Sequence, residues 1–263
     1  LLRPVLEGNI VTGTQTGYLA AATPGSANSG VVTNLGPSIS QVTDQPDQPT
    51  GGAGSPPLVI TAQITPTLRP LAASNPVVLK WRVMYSSEGA LSMSDAGTNG
   101  DAIAGDGIYT AQIPTTSLAA GQMLRWRVEA KDNGNFFSYD PPYPFPSPPS
   151  AQPSVTFNTD LDQYYGTVAA NPVLASSLLP VLHWFVNPSQ VNNTRSSTGA
   201  SCSFYYSGQF YDNVRVDLHG QSSSGFPVNK KSHNVNFTKT NRIEWKDGVE
   251  RVCSINLLAN YAD

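Results

Sequence analysis

Charge is scarce in this chain. Asp, Glu, Lys and Arg make up 13% of its 263 residues, against roughly 25% in an ordinary soluble domain. The formal net charge of −3 supplies no broad basic field, which excludes nucleic acid and anionic membrane surfaces as bulk electrostatic partners. No run approaches the roughly 18 apolar residues of a membrane-spanning helix. Cysteine is limited to Cys202 and Cys253. In an exported protein the two could close a loop of about 50 residues, worth roughly 4 kcal/mol; two separate buried thiols are the equal alternative. The three histidines, His183, His219 and His233, show neither HExxH nor a Cys/His zinc spacing. The phosphate-loop, nucleophile-elbow and dinucleotide-binding glycine patterns are all missing.

What is abundant is turn chemistry. Gly and Pro contribute 22 residues each, and Ser, Thr and Asn are frequent, a composition that favours an extracellular, turn-rich β protein. The length allows about two domains. The chain begins at Leu1 and ends inside a motif at Asp263, so the expectation is an internal piece of a longer protein.

Residues 31–57 read as a linker, because stretches such as Gln41-Val42-Thr43-Asp44-Gln45-Pro46 carry few apolar groups to bury. From 58 to 157 the period-2 signal is strong. Ile60, Ala62 and Ile64 alternate with polar residues, as do Leu79, Trp81, Val83 and Tyr85, and then Leu124, Trp126, Val128 and Ala130. About 100 such residues, without a 3.6-residue period, predict an immunoglobulin or fibronectin-III-like β-sandwich. Trp81 and Trp126 fall on the apolar phase and are expected in the core, with a carbohydrate-stacking platform as the alternative; the opposing arginines are expected to face solvent.

Asp95, Asn99, Asp101 and Asp106, set among glycines, are read either as a structural turn or as a calcium loop. The prolines of 140–149 deny a central strand and predict a semi-rigid connector. The last segment, 158–263, opens with a buried-strand candidate at Leu178–Val186 and continues into a hairpin turning at Ser207-Gly208.

That hairpin leads into the stretch with the most chemical promise. Val214, Val216 and Leu218 alternate with Arg215 and Asp217, and Val235 and Phe237 alternate with Asn234 and Asn236, so two half-buried strands flank a loop. The loop holds Gly220, Ser222, Ser223, Ser224 and Gly225, then Lys230 and Lys231. Exposed backbone N–H groups beside two ammonium groups suit an anion such as phosphate, and a long polar hairpin with solvated lysines is the alternative.

His219-Gly220-Gln221-Ser222-Ser223 and Lys230-Lys231-Ser232-His233-Asn234-Val235-Asn236-Phe237 resemble the early motif of the spore-coat protein H (CotH) kinase family, with His219 standing where that family commonly has Arg. Ile255 to Asp263 resembles the family's next element. The resemblance implies an atypical protein kinase that uses ATP with magnesium or manganese to phosphorylate secreted or surface proteins. It implies nucleotide contacts at Lys230, Lys231, Gly220, Ser222 and Ser223, with the metal-binding and catalytic aspartates further along than Asp263. Thr23-Pro24-Gly25-Ser26-Ala27-Asn28 resembles the closing signature of lamin-tail domains, which implies that residues 1–30 end such a module.

Taken together, the sequence predicts a mainly β chain: an immunoglobulin or fibronectin-III-like β-sandwich at 58–157 followed by an incomplete α+β kinase-like domain at 158–263. The expected setting is a large secreted or cell-surface bacterial protein whose intact kinase-like domain transfers phosphate from ATP to protein hydroxyls, this piece being inactive alone. Two other readings stand beside it, a non-catalytic adhesion or scaffold protein and a carbohydrate-binding module.

Overall fold

The computed structural model describes residues 18–19, 31–32, 36–141, 163–220, 231–238, 241–246 and 248–258. The chain is mainly β and its ladders are antiparallel. Strands β1 (Tyr18–Leu19) and β2 (Val31–Val32) pair with each other. Next come β3 (Ser38–Gln45), β4 (Leu58–Thr65), β5 (Val77–Val83), β6 (Gly89–Ser92), β7 (Ile108–Ile113), β8 (Met123–Lys131), β9 (Phe137–Asp140) and β10 (Tyr165–Val168). They form two facing sheets. One has the order β3-β4-β7; the other runs β10-β8-β5-β6, with β9 also on β8.

The alternation read from the sequence is what joins these sheets. On β4, Leu58, Ile60 and Ala62 are fully buried and Ile64 nearly so, while Val59, Thr61 and Gln63 are only half-buried. They meet Val77, Leu79, Trp126, Val128 and Ala130 from the opposite sheet in one apolar cluster. Each fully buried Leu or Ile contributes roughly 1.5–3 kcal/mol of transfer free energy. The sandwich-like core is therefore specified by phase, since a one-residue slip would turn these side chains to solvent.

Two expected boundaries differ from the structure. The 31–57 segment is not all linker, because β3 pairs with β4 from Ser38↔Thr65 to Gln45↔Val59. Polar as it is, β3 occupies an edge, where only one ladder and a few half-buried side chains such as Ile39 and Val42 are required. Likewise β10, inside the 158–263 segment, pairs with β8 through Tyr165↔Trp126 and Val168↔Met123 and so completes the sandwich.

Asp44 on β3 carries a pH signature. Burial, and then the neighbouring Asp47, raise its carboxyl from the ordinary 3.8 to about 6. A raised folded-state value means that the folded chain binds a proton more readily than the unfolded chain, so this group favours folding below about 4 and loses that contribution as pH rises through 6. Because the side chain is half-buried, solvent screening holds the effect to about 1 kcal/mol. Asp44→Asn is therefore expected to raise the thermal midpoint at pH 7.5 but not at pH 4, as scanning calorimetry at the two pH values would show; an equal shift at both would contradict the assignment.

Beyond the sandwich lie α1 (Pro172–Ala175), β11 (Leu182–Phe185), a 3-10 turn (Pro188–Gln190), α2 (Val191–Thr194), β12 (Ala200–Tyr206), β13 (Gln209–Leu218), β14 (His233–Asn236) and β15 (Ser254–Leu257). The strands make one five-stranded sheet in the order β11-β12-β13-β14-β15. The β12–β13 hairpin turns where the sequence places it: Ser207 and Gly208 both have positive φ, 48° and 79°, as a two-residue turn matched to strand twist requires. The buried-strand expectation for 178–186 holds only in part: a strand forms at Leu182–Phe185, and of it only Phe185 is buried. Leu178 and Leu179 are exposed, and β11 is an edge strand rather than a central one. Cys202 is buried, Cys253 is exposed, and both are free thiols. Burial pushes the Cys202 thiol up to about 11, which keeps it protonated and inert at neutral pH.

The two faces of this last sheet have separate tasks. Phe204, Tyr211, Val214, Val216, Val235 and Phe237 form its own core with Ile243. On the opposite face Tyr205, together with Phe185 and Phe210, packs against Met123, Val168, Met84 and Tyr85 of the sandwich. Gly166 on β10 lies so close to the Phe210 ring that an added Cβ would stand 2.7 Å from it. This contact also overturns the expectation that the strand arginines face water: Arg125 on β8 is only 3% exposed, because the five-stranded sheet covers the outer face of β8. No helix among the described residues is long and apolar enough to cross a membrane.

Candidate functional site

The flanking strands of the serine-lysine loop pair as the sequence predicts, in register from Arg215↔Asn236 to Leu218↔His233. Past the last pair, the His219 N–H donates to Ser232 O at 2.9 Å. Gly220 has φ +76°, a backbone region that a side chain disfavours. One residue beyond that hydrogen bond, Gly220 and Lys231 therefore stand on the two arms of the loop mouth. Lys230, Ser222 and Ser223 lie outside the described residues.

Asn234 fastens this mouth. Its amide nitrogen donates to Asp217 Oδ1 at 2.7 Å and, at 3.3 Å, to Leu218 O. Its oxygen is 2.6 Å from His219 Nδ1 and can only accept, so Nδ1 carries the proton. Asp217 also accepts from Arg215 Nε at 3.2 Å. The His219 imidazole is thus committed to the hairpin itself.

Lys231 opens onto a cleft of about 370 Å³ between α2 and the sheet, walled also by Trp184, Val191, Thr194, Arg195 and His233. The chain builds it locally. Asn187 caps the 3-10 turn by accepting from Ser189 N at 3.1 Å, α2 follows at once, and Arg195 is its C-cap residue. His233 Nδ1 is 3.0 Å from Thr194 O; the carbonyl must accept, which ties β14 to the end of α2 and leaves Nε2 without a proton in the neutral ring. Trp184 stands edge-on to the His233 ring with centroids 4.9 Å apart, and its other neighbour Phe204 stacks at 5.8 Å. The wall is therefore rigid.

Burial lowers the His233 pKa below its ordinary value; the Thr194 carbonyl and Asp217 oppose this, and Arg195 and Lys231 push it lower again. His233 is neutral at pH 7, and Arg195 and Lys231 line the same cleft. Such a site attracts an anion, and Arg195 offers the forked donors that match phosphate or carboxylate. Among the described residues the cleft lining includes no carboxylate, so what it offers is a place for an anion.

The sequence singles out Lys231, which lines this cleft, and Gly220, which is not among its lining residues, and it does not single out Arg195 or Trp184. Arg195 sat in what read as a polar loop, and Trp184 read as core; nothing in their spacing links them to a lysine more than 35 residues away.

The second candidate, the aspartate loop, also closes up in space. Carboxylate oxygens of Asp95, Asp101 and Asp106 lie within 4.8 Å of one another. Each accepts from backbone of the same loop: Gly105 and Gly107 donate to Asp95 at 2.7 and 3.0 Å, Gly97 to Asp101 at 2.6 Å, and Ile108 to Asp106 at 2.8 Å. These bonds are the Asp/Gly turn chemistry read from the sequence. Trp126 on β8, 2% exposed, offers no ligand platform, and Trp81 on β5 is half-buried against the same core.

No protein-family model matches the chain, and a search of curated proteins finds no match.

Proposed function

We propose that the cleft at Lys231 is a phosphate-binding site and that the five-stranded sheet around it belongs to a CotH-type protein kinase domain, carried with an immunoglobulin-like module and a lamin-tail end in a secreted or surface bacterial protein. The observation that carries this reading is the convergence of Lys231, Arg195 and His233 beside the Trp184 ring. ATP fits the chemistry of that group: the cations neutralise phosphate oxygens, and an aromatic wall suits a base. In phosphoryl transfer such cations supply charge neutralisation and positioning. The family's metal ligands and catalytic carboxylate follow the matched motifs, so the role assigned to these residues is binding, with magnesium or manganese as the metal partner of the nucleotide and secreted or surface proteins as the acceptors.

The test is ATP binding by calorimetry with magnesium or manganese present. Saturable binding is expected, weakened at least about tenfold, or 1.4 kcal/mol, by Lys231→Ala and by Arg195→Ala alike. Binding that ignores both substitutions, or none at all in the folded chain, sinks the reading. A second reading, a non-catalytic adhesion or scaffold protein, is favoured by the packing of the five-stranded sheet onto the sandwich without a helical lobe among the described residues; it predicts the second outcome.

A further inference from the structure

A different cleft, of about 320 Å³, lies at the β12–β13 turn, away from the residues that line the Lys231 cleft. It is formed by Pro180, Tyr206, Ser207, Glu244, Trp245 and Lys246. Its floor is an aromatic pair: the Tyr206 and Trp245 rings lie 5.0 Å apart and within 5° of parallel. The Tyr206 hydroxyl also donates to Trp245 O at 3.0 Å, so ring and backbone of Trp245 are held by the same residue. Tyr206 itself is 9% exposed and belongs to the apolar core of the sheet, whereas Trp245 is 46% exposed. Of the four tryptophans only Trp245 is exposed.

A single exposed aromatic ring is ordinary on a protein surface; this one differs in lining a cleft. Here the ring is not a loose side chain: stacking and a hydrogen bond fix its plane before any ligand arrives, which removes most of the ordering cost of binding. Polar groups stand at its margin. Glu244 is oriented by Arg251, whose Nη2 and Nε both lie 3.0 Å from Glu244 Oε2. Lys246 and Ser207 are exposed and line the same cleft.

The charge pattern selects among ligands that stack on indole. Two charged residues line the cleft, Glu244 and Lys246; one against one leaves no net charge in the described lining. A cation-recognising cage would carry an acidic excess, and a nucleic-acid platform a basic groove. A neutral surface with a rigid apolar plane and flanking donors and acceptors matches a neutral sugar, whose C–H face lies on the ring while its hydroxyls take hydrogen bonds from Lys246 and Ser207 and give them to Glu244.

We propose that the Tyr206–Trp245 cleft binds a neutral carbohydrate through stacking on Trp245. This site is independent of the Lys231 cleft and of phosphate chemistry. The experiment is titration of the whole chain with neutral oligosaccharides, β-1,4-linked glucose hexamers, N-acetylglucosamine hexamers and α-linked mannose oligomers, followed by tryptophan fluorescence and calorimetry. At least one is expected to bind, with affinity reduced tenfold or more by Trp245→Ala, largely kept by Trp245→Phe, unchanged by Lys231→Ala, and insensitive to 0.05–0.5 M salt (concentrations of about this range separate screened from unscreened contacts). Circular dichroism of Trp245→Ala confirms that the fold persists; where it does not, Trp245→Leu, which keeps apolar bulk without an aromatic face, is expected to lose binding in its place. Absence of binding across the set overturns the proposal, as does binding that survives Trp245→Ala or that falls steeply with salt.

Discussion

Asp212→Ala is expected to cost about 3–5 kcal/mol of folding stability. Asp212 on β13 is 4% exposed and Arg125 on β8 is 3% exposed; Arg125 Nη1 lies 3.6 Å from Asp212 Oδ1 across the junction between the sandwich and the five-stranded sheet. Each is further engaged. Asp212 accepts from Ser203 Oγ at 2.6 Å and from Tyr164 N at 2.9 Å. Arg125 Nη2 donates to Met84 O at 2.8 Å, and its guanidinium sits 4.7 Å from the Tyr85 ring and 5.1 Å from the Tyr164 ring.

Burial pushes the Asp212 carboxyl up and the Arg125 guanidinium down, against their mutual attraction. Desolvation therefore takes back much of what the pair gains, and the pair adds little net stability. Removing one partner is a different matter: alanine at 212 strands a buried guanidinium, a hydroxyl and a backbone N–H. Arg125→Met with Asp212→Leu should consequently cost less than the sum of the two single changes by at least about 1 kcal/mol. Urea unfolding of the four proteins in the cycle measures this; additive costs would show that the two groups do not depend on each other. Because the pair is screened from solvent, the coupling should persist at high salt.

Trp126→Ala is expected to cost a similar amount, about 3–5 kcal/mol, for an apolar reason. Trp126 is among the largest fully buried side chains, in the centre of β8 between Trp81 on β5 and Tyr165 on β10. Truncation opens a cavity between two sheets whose strands cannot close it without breaking register. Trp126→Phe is expected to cost far less, about 1 kcal/mol, because Trp126 Nε1 is buried without a hydrogen-bond partner and nothing polar is orphaned when it goes. Chemical denaturation of both variants separates the two effects; a Phe variant as unstable as the Ala variant would mean that shape at this position matters beyond volume.

The same residues show what each level of description decides. Local pattern was enough wherever the physics is local. Alternation along β4, β8 and β13 fixed which side chains face inward, because side chains on a strand point to opposite faces and apolar ones are driven from water. Ser207-Gly208 fixed a hairpin because only a short list of residues tolerates two consecutive positive φ angles. Asp95, Asp101 and Asp106 were legible as turn residues because their carboxylates bond to backbone within a dozen positions.

What the sequence could not determine were the meetings between distant segments. The polar stretch before residue 58 became strand β3 because the edge of β4 had an open ladder to satisfy. Arg125, on the polar phase of its strand, was buried because a second sheet happened to land on that face and brought Asp212 with it. Arg195 and Lys231, and likewise Tyr206 and Trp245, share a cleft only after the sheet has formed. Phase and turn chemistry are written residue by residue, since they depend on the covalent chain; which faces are covered, and therefore which charges and rings converge into sites, depends on long-range packing that no local pattern encodes.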